Sequence, residues 1–144
     1  MAEFKIYKKS SRLFGSSQLE GSIWMTCSHI STYPTKLEVY RHSSGGLFGS
    51  KVEIGGINVY DSSDQKYGAY IKKDGIFFHK KGIDIDSLYS CYRLECETFG
   101  SIRGGHGNER DYSVSASSFN KDKETMDPVA FSYALSLFFK STES

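Results

Sequence analysis

A chain of 144 residues is long enough for one domain, and its 38% hydrophobic and 24% charged residues argue against a disordered polypeptide. The formal net charge of +1 provides no general field for nucleic acid, so DNA or RNA is not expected as a partner. No segment reaches the roughly 18 consecutive apolar residues of a membrane span, and no apolar signal region follows the charged start. An odd count of three cysteines favours reduced thiols, and we expect a cytoplasmic protein.

Alternating apolar and polar residues recur along most of the chain and indicate β-strands. The candidate strands lie at 4–7, 19–27, 37–40, 52–54, 57–59, 70–73, 76–78, 88–97 and 111–117. Gly55-Gly56 and Asp74-Gly75 are typical two-residue turns between antiparallel strands, so each is expected to join a hairpin. Because the signalled neighbours are hairpins, we predict a mainly antiparallel sheet.

The C-terminal part reads as a helix over residues 128–139. Asp127 is a favourable N-cap, and Pro128 suits the first helical position because its missing N–H would have no partner there. Ser132 and Ser136 are the only polar residues from 129 to 139, apart from the tyrosine hydroxyl, which predicts a helix buried nearly all round. The predicted fold is therefore mainly β, a curved antiparallel sheet or barrel of repeated hairpins around one buried C-terminal helix.

An internal repeat is the most informative pattern. The segment 6–16 (IYKKSSRLFGS) returns at 39–50 as VYRHSSGGLFGS, with fainter copies near 70–78 and 92–101. We interpret residues 1–144 as a single domain with repeated hairpin units at about 4–54 and 57–117. The alternative is that hairpins resemble one another because turn chemistry is limited.

The repeated Leu-Phe-Gly-Ser motif and the apolar terminal helix resemble the tubby C-terminal-like fold, which includes the LURP-one-related proteins and phospholipid scramblases. The matching segments are 13–16, 47–50, 59–73 and 127–139, under half of the chain. An Asp-x-x-Gly turn of that group appears here as residues 61–64 (DSSD), without the glycine. The resemblance implies a closed barrel around a central helix, and binding of anionic lipid headgroups or a partner protein rather than catalysis.

Basic residues follow the tyrosine of each repeat. They are Lys8, Lys9, Arg41, His42, Lys72, Lys73 and Arg93. If the hairpins stack, these side chains lie close together and could hold a phosphate by charge-assisted hydrogen bonds. The alternative is that they mark solvent-facing strand ends.

The longest irregular stretch, residues 100–110, is a second candidate for anion binding. Glycines allow a close backbone approach to a ligand, and the cationic groups nearby could contact an anion. Its candidate residues are Arg103, Gly104, Gly105, His106 and Arg110. The alternative is a hairpin loop with ordinary polar residues.

Signals for catalysis are few, because the four histidines are scattered and no His or Cys pair has metal-ligand spacing. We therefore predict no metal and no cofactor, and we favour a non-enzymatic protein while leaving enzymatic activity open. The leading hypothesis is a binding module for an anionic small molecule, a lipid headgroup at a membrane surface or a partner protein. The alternatives are an assembly subunit like those of phage tails or secretion tubes, which would form homo-oligomers, and a small phosphoester hydrolase using His106 with Arg103 and Arg110.

Overall fold

A computed structural model of the chain describes residues 2–9, 17–30, 32–42, 50–72, 85–88, 92–94, 99–103, 111–116 and 118–142. These residues form eight strands, a short 3₁₀ turn at Ile85–Ser87 and one α-helix. The elements are β1 (Ala2–Lys8), β2 (Gln18–Cys27), β3 (Pro34–His42), β4 (Lys51–Asp61), β5 (Lys66–Ile71), β6 (Arg93–Leu94), β7 (Phe99–Arg103), β8 (Tyr112–Ser115) and α1 (Pro128–Thr142).

The strands form one sheet in the order β5-β4-β3-β2-β1-β8-β7-β6, and every neighbouring pair is antiparallel. Helix α1 contacts β3 and β4 near one end of this order and β6 at the other end, so the sheet curls around the helix. Within the described segments the sheet stays open, with β5 and β6 as its edges. The prediction of a mainly β fold with a curved antiparallel sheet and one C-terminal helix is confirmed.

The core lies between the curled sheet and α1, and it follows the predicted alternation. In β1 the side chains of Ala2, Phe4 and Ile6 are fully buried, whereas the residues between them are partly exposed. The same inward face continues through Ile23 of β2 and Val39 of β3. In β1 and β3 the buried residues alternate with partly exposed ones, as the period of two requires, and the buried side chains join the core beside the helix.

Helix α1 is buried nearly all round, and this prediction is also confirmed. It begins at Pro128 as expected and ends at Thr142, three residues beyond the predicted end. Even Ser132 and Ser136 are only 1% exposed. Among the described residues, no helix has the length and apolar character that crossing a bilayer requires.

The expected hairpin turn at Gly55-Gly56 is wrong, because β4 runs without interruption from Lys51 to Asp61. Both glycines are buried in the sheet. A Cβ at Gly56 would lie 2.6 Å from the hydroxyl oxygen of Tyr70, and a Cβ at Gly55 would collide with the carbonyl oxygen of Tyr70. Gly55 therefore allows β5 to approach closely, whereas a Cβ at Gly56 would also collide with the Leu37 carbonyl oxygen of β3. The predicted boundary between the repeat units, 54 to 57, falls inside β4.

Two other strand predictions have mixed outcomes. The candidate at 111–117 corresponds to β8, Tyr112–Ser115. At 88–97, Leu88 closes the 3₁₀ turn, its N–H donating to the Ile85 carbonyl, and the strand is limited to Arg93–Leu94 in the described residues. The Asp74-Gly75 turn and the strand at 76–78 lie outside the described residues.

The hairpins β1–β2 and β3–β4 share one pairing pattern. Ile6 pairs with Gly21, and Val39, 33 residues later, pairs with Gly55, 34 residues after Gly21. In each hairpin the register shifts at the next pair, so that one residue of the second strand has no opposite partner. The two bulges thus occupy matching positions in the two hairpins.

Candidate functional site

A cleft of about 680 Å³ opens where the N-terminal end of α1 meets the β2–β3 and β4–β5 connections. Its walls come from three segments that are distant in sequence, within 28–35, 59–67 and 126–129. The volume lies in the range typical of small-molecule sites.

The walls of the cleft combine aromatic and apolar side chains with polar ones. Tyr33, Tyr60 and Tyr67 line it together with Val59 and Met126. Tyr60 is 71% exposed and Tyr33 is 55% exposed, which is high for such large side chains. Apolar walls with exposed rings offer a ligand contact area that water otherwise covers.

Asp127 joins the cleft to the start of the helix. Its Oδ1 atom accepts hydrogen bonds from the backbone N–H groups of Val129 (3.1 Å) and Ala130 (3.2 Å), which confirms the predicted N-cap. Its Oδ2 atom accepts a hydrogen bond of 2.8 Å from the Tyr67 hydroxyl. Burial, and then this bond to Asp127, raises the pKa of Tyr67, so the hydroxyl stays protonated at neutral pH. The cap therefore also holds the tyrosine in place.

Asp61 provides a second carboxylate, in the turn after β4. Its Oδ1 atom accepts hydrogen bonds from the hydroxyl (2.7 Å) and the N–H (3.0 Å) of Ser63 and from the N–H of Asp64 (3.2 Å). The bond from the Ser63 hydroxyl, followed by that from Asp64, lowers the pKa of this carboxyl, so it is ionised at neutral pH. The chain turns without the glycine of the resembling family's motif, and Gln65 takes a left-handed φ of 55°.

Two of the predicted anion-binding residues, Lys8 and Arg41, each lie over an aromatic ring near the opposite end of α1. The Lys8 ammonium nitrogen lies 5.8 Å from the centre of the Tyr112 ring, and the Arg41 guanidinium lies 5.4 Å from the centre of the Phe138 ring. These two rings contact each other edge to face, with centroids 5.9 Å apart. Both cations therefore cover one aromatic cluster near the C-terminal end of the helix.

A structural role explains these two cations without a ligand. A helix C-terminus carries partial negative charge, which stabilises nearby cations and disfavours an anion. Aromatic faces add a further attraction for Lys8 and Arg41. Their use in anion binding remains a prediction.

Lys72 lies elsewhere, on the face of the sheet away from α1. Its ammonium nitrogen is 3.3 Å from Glu53 Oε2, and the other oxygen of Glu53 accepts a hydrogen bond of 3.0 Å from Tyr70. On the same face, the Lys51 nitrogen lies 4.7 Å from the ring centres of both Trp24 and Tyr40. This face is a network of internal pairs, and Lys72 is separated from Lys8 and Arg41 by its position in the sheet.

The remaining predicted anion-binding residues either lie apart from this cluster or fall outside the described part of the chain. Lys9 is exposed just after β1, and its backbone N–H donates to the carbonyl of Asp111 at 2.8 Å. Arg103 ends β7. Lys73, Gly104, Gly105, His106 and Arg110 lie outside the described residues, so the glycine-rich anion site stays a prediction.

The cleft has no signature in the sequence. Asp127 fits the pattern of a helix cap and nothing more, and the three tyrosines carry no shared motif. The one available signal is the abundance of tyrosine, ten in 144 residues, which sheet packing explains equally well.

Across the described segments, no three His, Cys, Asp or Glu side chains converge into a group that could bind a metal ion. Comparison with known protein families, with curated proteins and with solved structures finds no match. The resemblance to the tubby-like group therefore remains a prediction that rests on sequence motifs alone.

Proposed function

We propose that the protein is a binding module without catalytic activity, and that its ligand enters the cleft at the N-terminal end of α1. The observation that carries this proposal is the cleft itself, about 680 Å³ of space lined by three tyrosines and several apolar side chains together with polar ones. The Asp127 cap bonds to Tyr67 and thereby supports the wall from the helix, so the site is largely formed before a ligand binds.

The charges of the cleft do not favour the anionic ligand expected from the sequence. Its ionised lining groups in the described chain are the carboxylates of Asp61 and Asp127. An anion would have to bind elsewhere, for example beside Lys8 and Arg41. A small ligand or a segment of a partner protein fits the proposed module.

We further interpret the two N-terminal hairpins as copies of one unit. The shared register and the matching bulges at Glu20 and Ile54 support a duplication that sequence similarity alone could not distinguish from chance. The two copies of the hairpin would form half of the curved sheet. The N-terminal end of α1, which has no second copy in the chain, would complete the cleft.

A blocked cleft provides the test. Ser62 lines the cleft and Ser17 does not, although both are small polar residues outside the core. We expect fragments of a small-molecule library to shift the backbone amide signals of cleft residues in ¹H–¹⁵N NMR spectra. Ser62→Trp should abolish these shifts by filling the space, whereas Ser17→Trp should preserve them. If no fragment shifts the cleft signals of the unchanged protein, the proposal is wrong.

A further inference from the structure

We infer that the ligand of the cleft carries a positively charged ammonium group on an apolar body, recognised by the Asp61 carboxylate and the surrounding tyrosine rings. This inference rests on the proposed function and specifies its substrate class.

The charge of the lining supplies the first reason. None of the described lining residues is Lys, Arg or His, whereas two are aspartates. The Asp127 carboxylate is already satisfied by the helix N–H groups and Tyr67, and the positive end of the helix offsets its charge. Asp61 differs, because the three hydrogen bonds that it accepts within the described part of the chain all end on Oδ1. Its Oδ2 atom has no hydrogen-bond donor among the described residues, so it is open to the positive charge of a ligand.

The rings supply the second reason. The faces of tyrosine rings attract cations, and this attraction strengthens where water is displaced. The Tyr60 ring rests on the backbone of β5, because a Cβ on Gly68 would lie only 3.0 Å from it. The side chain nevertheless remains 71% exposed. A ring that lies against β5 along its hydroxyl edge, and that is still largely exposed within the cleft lining, is a preformed contact for an ammonium group.

The size and the apolar part of the lining supply the third reason. About 680 Å³ exceeds the space that an ammonium group alone would occupy. Val59, Met126 and Pro34 contribute apolar surface for the remainder of the ligand. We therefore expect an organic cation, either free or as the side chain of a partner, rather than an inorganic ion.

The test compares choline with 3,3-dimethyl-1-butanol, its uncharged carbon analogue, by titration of the full chain in ¹H–¹⁵N NMR spectra. Choline should shift the amide signals of Tyr60, Asp61 and Tyr67 in a saturable manner, with an affinity about tenfold above that of the analogue. Asp61→Asn should weaken choline binding about tenfold. It keeps an Oδ1 acceptor for the turn, so the fold is expected to persist. Asp111→Asn neutralises an exposed carboxylate next to Tyr112, outside the cleft lining; it is the matched control and should leave the affinity unchanged.

The outcomes separate the two proposals. Equal affinities of choline and its analogue, or an unchanged affinity in Asp61→Asn, would overturn the cationic ligand while the cleft remained a binding site. Cleft shifts with benzoate but not with choline would overturn it in the same way. If choline, the analogue and benzoate all leave the cleft signals in place, the inference fails, and a blank fragment screen would then reject the binding module as well.

Discussion

The hairpins β1–β2 and β3–β4 share a register and a bulge but occupy different surroundings. The extra residue of the bulge is Glu20 in the first hairpin, where it is partly exposed, and Ile54 in the second, where it is fully buried. A Cβ at Gly21 would collide with the Phe138 ring of the helix, whereas one at Gly55 would collide with the neighbouring strand β5. The same backbone pattern therefore serves two packing roles, and its neighbours decide which residue type each position accepts.

The largest difference in stability between the two hairpins is expected when each bulge residue is replaced by the residue type of the other. Ile54→Glu places a carboxylate in the core, and we expect a loss of about 4 kcal/mol in the free energy of unfolding, or no folded protein. Glu20→Ile should change stability by less than about 1 kcal/mol because that site is partly exposed. Urea unfolding followed by circular dichroism measures both. Similar losses in the two variants would show that the hairpins do not differ in the way described.

Lys8 and Arg41 occupy matching positions in the two hairpins, and their replacement should change the free energy of unfolding by less than replacement of the bulge residues. Arg41→Ala removes a half-buried guanidinium from the Phe138 ring and should cost about 1–2 kcal/mol. Lys8→Ala should cost at most about 0.5 kcal/mol, because the ammonium is exposed. Urea unfolding of both variants gives the comparison, and a larger loss in Lys8→Ala would contradict it. Stabilisation of the unchanged protein by inorganic phosphate, lost in both variants, would instead support anion binding at this end of the helix.

The smallest expected effect concerns pH. His42 occupies the position that corresponds to Lys9, but its Nε2 atom lies 2.8 Å from the Ser22 hydroxyl. Burial and then nearby Lys51 lower the pKa of His42 below its ordinary value of 6.5, while Glu3 acts weakly in the opposite direction. The unfolded chain therefore takes up the proton first as the pH falls below about 6.5, and stability declines until the pH passes the folded-state pKa.

Urea midpoints at pH 7.5 and 5.5 measure this decline. His42→Gln should reduce the decline by less than about 1.4 kcal/mol, whereas Lys9→Gln should leave it unchanged, because it removes no imidazole. An equal decline in the unchanged protein and in His42→Gln would rule out the role of this histidine.

Patterns that span only a few residues correctly predict which side chains of a strand are buried and where the helix begins. Alternation places Phe4 and Ile6 on the inner face of β1, and the Asp127-Pro128 pair marks the start of the helix. The same reasoning is wrong at Gly55-Gly56, where it assigns a turn. A glycine pair is favourable both in a tight turn and beneath a closely packed strand, and only the position of Tyr70 distinguishes the two.

The candidate site is far less predictable. The repeated basic residues suggest a cluster, but the sheet brings only Lys8 and Arg41 to one aromatic cluster and places Lys72 on its other face. The cleft depends on side chains such as Tyr33 and Tyr67, which no spacing rule connects.

The sequence alone determined which strand faces are apolar, that the last helix is buried, and where that helix begins. These properties follow from side-chain period and capping, which act over a few residues. Only the tertiary structure decided the contacts among distant segments: the curl of the sheet around α1, the ring beneath Arg41, and the meeting of Tyr60, Asp61 and Asp127 at one cleft. Such contacts depend on strand order and register, and these arise from packing of the whole chain.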